Sequence, residues 1–253
     1  MDLLIFAMVF LPIAAAFLSF LLGRKTKAGR DFFVWSVVGA EFVLSLVLFF
    51  RGAALENVLV TVPGVCGLGL HFTVDGFRSI YAVIAALMWL VTGLFSPEYF
   101  AHYRNRNRYY LFVLVTLGAT EAVFLSADLY TTFVFFEIMS LCSYVWVAQD
   151  EKPGSLRAGG TYLAVAVIGG MVLLMGIFLL YHQTGTLMIA EISASAVGIP
   201  FLFYFRFILL INYRRAPPDA KKPHGRAVGR KFVRLAVRLA IQGAVRSMIR
   251  LNT

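Results

Sequence analysis

Charged residues and cysteines are both scarce in this sequence of 253 residues. Only 14% of the residues are charged and 60% are hydrophobic, whereas an average soluble domain has about 25% charged residues. This composition excludes an ordinary soluble domain and indicates an integral membrane protein. The sequence also has no glycine-rich nucleotide-binding loop and no internal repeat.

Metal and redox chemistry lack their usual ligands. The only cysteines, Cys66 and Cys142, are far apart in the sequence, and the second lies inside an apolar run. The four histidines show no ligand spacing either. We therefore expect no disulfide framework, no metal and no cofactor on this chain.

Long apolar runs make up most of the sequence. About 20 apolar residues cross the hydrocarbon core of a bilayer as a helix. Runs of this kind lie at roughly 3–22, 32–50, 77–96, 109–127, 129–148, 161–181 and 196–213. The sequence predicts an all-α membrane protein with about seven transmembrane helices in a domain of residues 1–213, followed by a basic tail of residues 214–253.

The basic residues predict the orientation. Twenty of the 23 Lys and Arg residues fall in alternate loops or in the tail, and Arg51 and Arg78 lie on the other side. Because cytoplasmic loops carry the excess of Lys and Arg, we expect the N-terminus outside and the tail in the cytoplasm, attracted to anionic lipid. Two alternatives for the tail remain open, a solvated segment and the product of a shifted reading frame in a GC-rich gene.

The outer loop 51–76 has the pattern of a small β-hairpin. It contains β-branched residues, a turn at Pro63 and Gly64, and apolar alternation around Leu70, Phe72 and Val74. At the outer boundary, Asp75 and Asp128 each precede an apolar run. Both are expected to cap the helices that follow.

Three glutamates lie inside the predicted spans. Glu137 is in the middle of the apolar stretch 130–148, where a carboxylate costs about 2 kcal/mol or more, so a functional role is the default hypothesis. With a rise of about 1.5 Å per residue, Glu41, Glu121 and Glu137 fall in one band of depth about 5 Å thick. Carboxyl groups at one depth could form a proton relay.

Each of the other candidates has a plainer interpretation. Glu121 precedes Glu137 on the neighbouring helix, but a structural hydrogen bond would also explain it. Nothing in the sequence fixes the helix face of Glu41. Arg206, in the seventh run, either reaches for the cytoplasmic interface or pairs with a relay carboxylate. The glycines of the sixth run are expected to permit close helix packing.

The motif pattern resembles the antiporter-like, proton-conducting membrane subunits of respiratory complex I, membrane-bound hydrogenases and multisubunit cation/proton antiporters. The resemblance covers roughly residues 1–190. It rests on four strings: HFTVDGFRSIYAVI (71–84), LFSPEYF (94–100), FLSADLYTTFVFFEIMSLCSYVWV (124–147) and RAGGTYLAVAVIGGMVLLMGIFLLYHQTGTL (157–187).

The resemblance implies a function and a place in the cell. It implies that Phe136–Glu137 occupies the position of a glutamate on the central proton path, and that Glu121 is an auxiliary carboxylate. It implies a prokaryotic cell membrane, other membrane subunits as partners, and redox chemistry on those partners. Protons, or sodium in an antiporter subunit, would be the transported ions, and no nucleic acid is expected.

The sequence also departs from the family. The family pairs this glutamate with a lysine of the seventh helix, and no lysine occurs between Lys152 and Lys221. The second of the family's two inverted repeats is absent as well. The chain therefore resembles the N-terminal portion of such a subunit with a divergent end, and a truncated, non-conducting structural fragment remains an alternative.

Overall fold

A computed structural model describes residues 2–52, 58–65, 67–100 and 106–194. Six long helices and one antiparallel hairpin make up most of this part. In chain order the elements are α1 (Asp2–Lys25), α2 (Lys27–Gly52), β1 (Val58–Val62), β2 (Leu70–Val74), α3 (Gly76–Tyr99), α4 (Arg106–Leu125), α5 (Leu129–Val147), α6 (Pro153–Thr184) and the short α7 (Ile189–Ala194).

The described helices confirm the all-α membrane class and the first six predicted spans. Each of α1 to α6 is long and apolar enough to cross a membrane. The seventh predicted span (196–213), Arg206 and the tail (214–253) lie outside the described residues. The orientation of the chain stays a prediction.

Helix α4 is the centre of the packing, with α1, α3 and α5 against it, and most of its residues are buried. Gly118 explains the close approach of α1. A Cβ atom at this position would lie 2.5 Å from the carbonyl oxygen of Val9 and 2.7 Å from Cγ1 of Ile13. Glycine therefore lets the two backbones meet, in the way that small residues act between helices in lipid.

The hairpin of β1 and β2 confirms the prediction for the loop 51–76. The strands pair from Val58 with Val74 to Val62 with Leu70, and Leu70, Phe72 and Val74 are the buried positions of β2. The Phe72 side chain is fully buried, and its ring centroid lies 5.9 Å from that of Phe135 on α5. The alternation of the sequence thus places one face of the hairpin on the helices.

The turn between α4 and α5 has backbone partners on both sides. The Ala127 amide donates to the carbonyl of His71 at 2.8 Å, and the Leu129 amide donates to that of Leu187 at 3.0 Å. The Ile189 amide returns a hydrogen bond to Ala127 at 3.1 Å. Residues 126–129, which we call the central turn, therefore lie between β2 and the segment 187–189.

Both predicted helix caps are present. The Asp75 carboxylate accepts from the amide of Arg78 at 2.6 Å. The Asp128 carboxylate accepts from the amides of Tyr130 and Thr131, each at 3.1 Å. These bonds satisfy amides that a helix leaves without partners in its first turn.

Charged side chains form ion pairs and a cation–π contact at the helix ends farthest from the hairpin. Arg30 at the start of α2 is almost fully buried and contacts the Asp31 carboxylate at 2.6 Å. Its guanidinium lies 4.7 Å from the ring centroid of Tyr110 on α4. Arg108 pairs with Glu151 at 2.7 Å, joining the start of α4 to the loop before α6.

Replacing Gly118 by valine tests the contact of α1 with α4. The added side chain would overlap Val9 and Ile13, so we expect the Gly118→Val variant of the full chain to lose about 1–3 kcal/mol of unfolding free energy. Denaturant unfolding in detergent measures the loss. Gly39→Val on α2 is the matched control, because a Cβ atom there meets nothing within 4 Å. Equal losses for both variants would contradict the proposed close approach.

Candidate functional site

The Glu137 side chain of α5 packs against the backbone of α6 at Gly170. A Cβ atom at Gly170 would lie only 2.6 Å from Oε2 of Glu137 and 2.5 Å from its Cδ. The absence of a side chain at residue 170 therefore makes the space that the carboxylate occupies. The sequence predicted a packing role for this glycine, and the structure shows that its packing partner is the candidate functional carboxylate.

Glu137 has no compensating group in the described part of the chain. The side chain is partly buried, and its Oε1 atom is buried without a hydrogen-bond partner. The ion pairs among the described residues are Arg30–Asp31, Arg78–Asp75 and Arg108–Glu151, so none of them includes a glutamate of a predicted span.

Glu41 on α2 and Glu121 on α4 form a second group of carboxyls. Both side chains are 0% exposed, and Glu41 lies close enough to act electrostatically on Glu121. All four carboxyl oxygens are without a hydrogen-bond partner. We refer to these two residues as the buried pair.

The structure therefore groups the predicted residues differently from the sequence. Helices α4 and α5 are neighbours, as the short turn between them predicted. Within electrostatic range of Glu121, however, lies the carboxyl group of Glu41 on α2. The sequence placed Glu41 and Glu121 at one depth but held no signal for the face of α2 that carries Glu41.

The arrangement suits proton binding better than metal binding. Within the described residues, no group of three or more His, Cys, Asp or Glu side chains could hold a metal ion. A carboxyl group can gain and release a proton, and its protonated form suits apolar surroundings without a cation.

Parts of the chain are similar to known membrane proteins. Residues 126–212 match the family described as NADH:quinone oxidoreductase/Mrp antiporter, TM. The chain is 30% identical over 127 residues to a Na(+)/H(+) antiporter subunit of Bacillus subtilis (strain 168), and the match covers 50% of this chain and 26% of that protein.

Two solved complexes contain a chain of the same fold. A chain of the Mrp complex from Dietzia sp. DQ12-45-1b matches with a TM-score of 0.69 and 22% identity, over 83% of this chain and 40% of that one. A chain of respiratory complex I from Thermus thermophilus matches with a TM-score of 0.67 and 20% identity, over 83% and 43%. The chain thus spans less than half the length of each of these proteins.

A double-mutant cycle tests the contact between Glu137 and Gly170. In the wild-type background, Gly170→Ala places a methyl group where the carboxylate lies. In a Glu137→Ala background that overlap is gone, and alanine is the better helix former. We expect the effects on unfolding free energy to differ between the backgrounds by about 0.5–3 kcal/mol, measured by denaturant unfolding of the four proteins.

Gly160→Ala on the same helix is the control for this cycle. A Cβ atom at Gly160 meets nothing within 4 Å, so its effect should be the same with and without Glu137. Additive effects of Gly170→Ala and Glu137→Ala would show that the two residues do not touch in the membrane.

Proposed function

We propose that the chain is a proton-translocating membrane subunit of a multisubunit complex, and the proposal starts from the match of residues 126–212 to the family described as NADH:quinone oxidoreductase/Mrp antiporter, TM. The complex is of the respiratory or membrane-bound hydrogenase type and lies in a prokaryotic cell membrane. Other membrane subunits are its partners. Oxidation and reduction take place on partner subunits, and the contribution of this chain is to bind and pass protons.

The observation that carries the proposal is the setting of Glu137. The residue lies inside α5, a helix apolar and long enough to span a membrane, and no described cation pairs with it. A carboxylate left charged in hydrocarbon is expensive, and such residues commonly mark ion pathways. A bound proton removes that charge, which makes Glu137 a suitable relay residue.

The local packing supports the same role. Gly170 gives the carboxyl group room beside the backbone of α6. Since the side chain is only partly buried, the remaining exposure leaves it open to a donor or acceptor of protons. In this proposal Glu137 takes up and releases the transported proton, and Glu121 serves as an auxiliary carboxyl on the neighbouring helix.

A sodium/proton antiporter component is the second candidate function. The similarity to a Bacillus subtilis protein that is named as part of a Na(+)/H(+) antiporter favours it. The carboxyl chemistry is common to both functions, so the difference lies in the counter-ion. Proton movement that requires sodium on the opposite side of a vesicle membrane would favour the antiporter.

The Glu137→Gln variant tests the relay. Glutamine keeps the size of the side chain but cannot exchange a proton, so the assembled complex in proteoliposomes should lose coupled proton movement by about a hundredfold or more, the scale on which proton-transfer groups contribute to rates. A pH-sensitive dye inside the vesicles reports the movement, and gel filtration reports assembly.

Glu98→Gln is the matched control, because Glu98 is an exposed residue near the end of α3. This variant should pump like the wild type. Full coupled proton movement in an assembled Glu137→Gln complex would refute the proposed role of Glu137.

A further inference from the structure

The buried pair is the group of titratable side chains that the role of Glu137 leaves unexplained. Its members lie on α2 and α4, whereas Glu137 and Gly170 lie on α5 and α6. Both members are 0% exposed and within electrostatic range of each other. Burial of two carboxyl groups so close together is costly if both are charged, so the structure must provide a way to reduce that charge.

Hydroxyl groups near the pair in sequence do not compensate the carboxyls. Ser45, one helical turn after Glu41, donates its hydroxyl proton to the carbonyl of Phe42 at 2.8 Å. Thr120, next to Glu121, donates to the carbonyl of Thr116 at 2.7 Å. Both donors are therefore used by backbone oxygens, and the carboxyl oxygens stay without partners.

Among the described residues, cations do not compensate the pair either. The other charged residues of α1 to α4 lie near the ends of these helices: Asp2, Arg24, Lys25, Lys27, Arg30, Asp31, Arg51, Arg78, Glu98, Arg106 and Arg108. Of the further elements packed on α4, helix α5 carries Glu137 and strand β2 carries His71, whose Nδ1 is buried without a partner. Within the described part of the chain, Glu41 is the charged group that lies within electrostatic range of Glu121.

Two negative charges cannot both persist in these surroundings. Like charges that share a buried site repel, and such groups then titrate as a unit rather than separately. Protonation of one carboxyl removes one of the two charges, and the neutral acid is the form that buried, apolar surroundings favour.

We propose that Glu41 and Glu121 form a coupled proton-binding site that holds at least one proton at neutral pH. The site extends the proposed function. Only the part of this site in transport depends on that function. Proton binding itself follows from the burial, the mutual approach and the lack of donors and cations among the described residues. A pair of this kind can store a proton beside the path that contains Glu137.

Infrared spectroscopy of the full chain tests this site without any measurement of transport. At neutral pH the wild type should show the carbonyl-stretch band of a protonated carboxylic acid. Glu41→Gln and Glu121→Gln should each shift or abolish that band, because either change replaces one member of the pair. The double variant should lose the whole component of the band that depends on the pair.

Two further variants separate the pair from other carboxyls. Glu98→Gln changes an exposed residue and should leave the band unchanged. Glu137→Gln should keep the component that depends on the pair, so this result stands whether or not Glu137 moves protons. A band that survives unaltered in either single variant of the pair, or a wild type without a band, overturns the coupled proton-binding site.

Discussion

Every polar group of this chain that lies at membrane depth has to find its partner within the protein, since hydrocarbon supplies none. The described architecture follows from this constraint. Asp75 and Asp128 satisfy amides at two helix starts, and the central turn exchanges backbone hydrogen bonds with neighbours on both edges. Carboxyl oxygens of Glu41, Glu121 and Glu137, in contrast, are buried without a hydrogen-bond partner in the described part of the chain.

The sequence predicted those features that depend on local chemistry. Apolar length located the six described spans, and strict alternation together with a Pro-Gly turn located the hairpin. Asp75 and Asp128 were recognised as caps because capping requires only a short polar side chain before an apolar helix. Each of these patterns is complete within a few consecutive residues.

The features that escaped prediction depend on helix rotation. The depth of Glu41 and Glu121 could be counted along the chain, but their approach depends on which face α2 turns toward α4. Uniformly apolar helices provide little periodicity from which to read that face. Gly170 was expected to allow packing, yet only the structure shows that it makes room for the carboxylate of Glu137.

The central turn has a mechanical consequence. Residues 126–129 connect β2 to the segment that follows α6 through two isolated backbone bridges, Phe72 with Ser126 and Asp128 with Met188. The start of α5, the helix that carries Glu137, is therefore anchored by backbone hydrogen bonds to the hairpin on one side and to the segment after α6 on the other. Because main-chain groups make these bonds, substitutions of side chains in the turn leave the anchor in place.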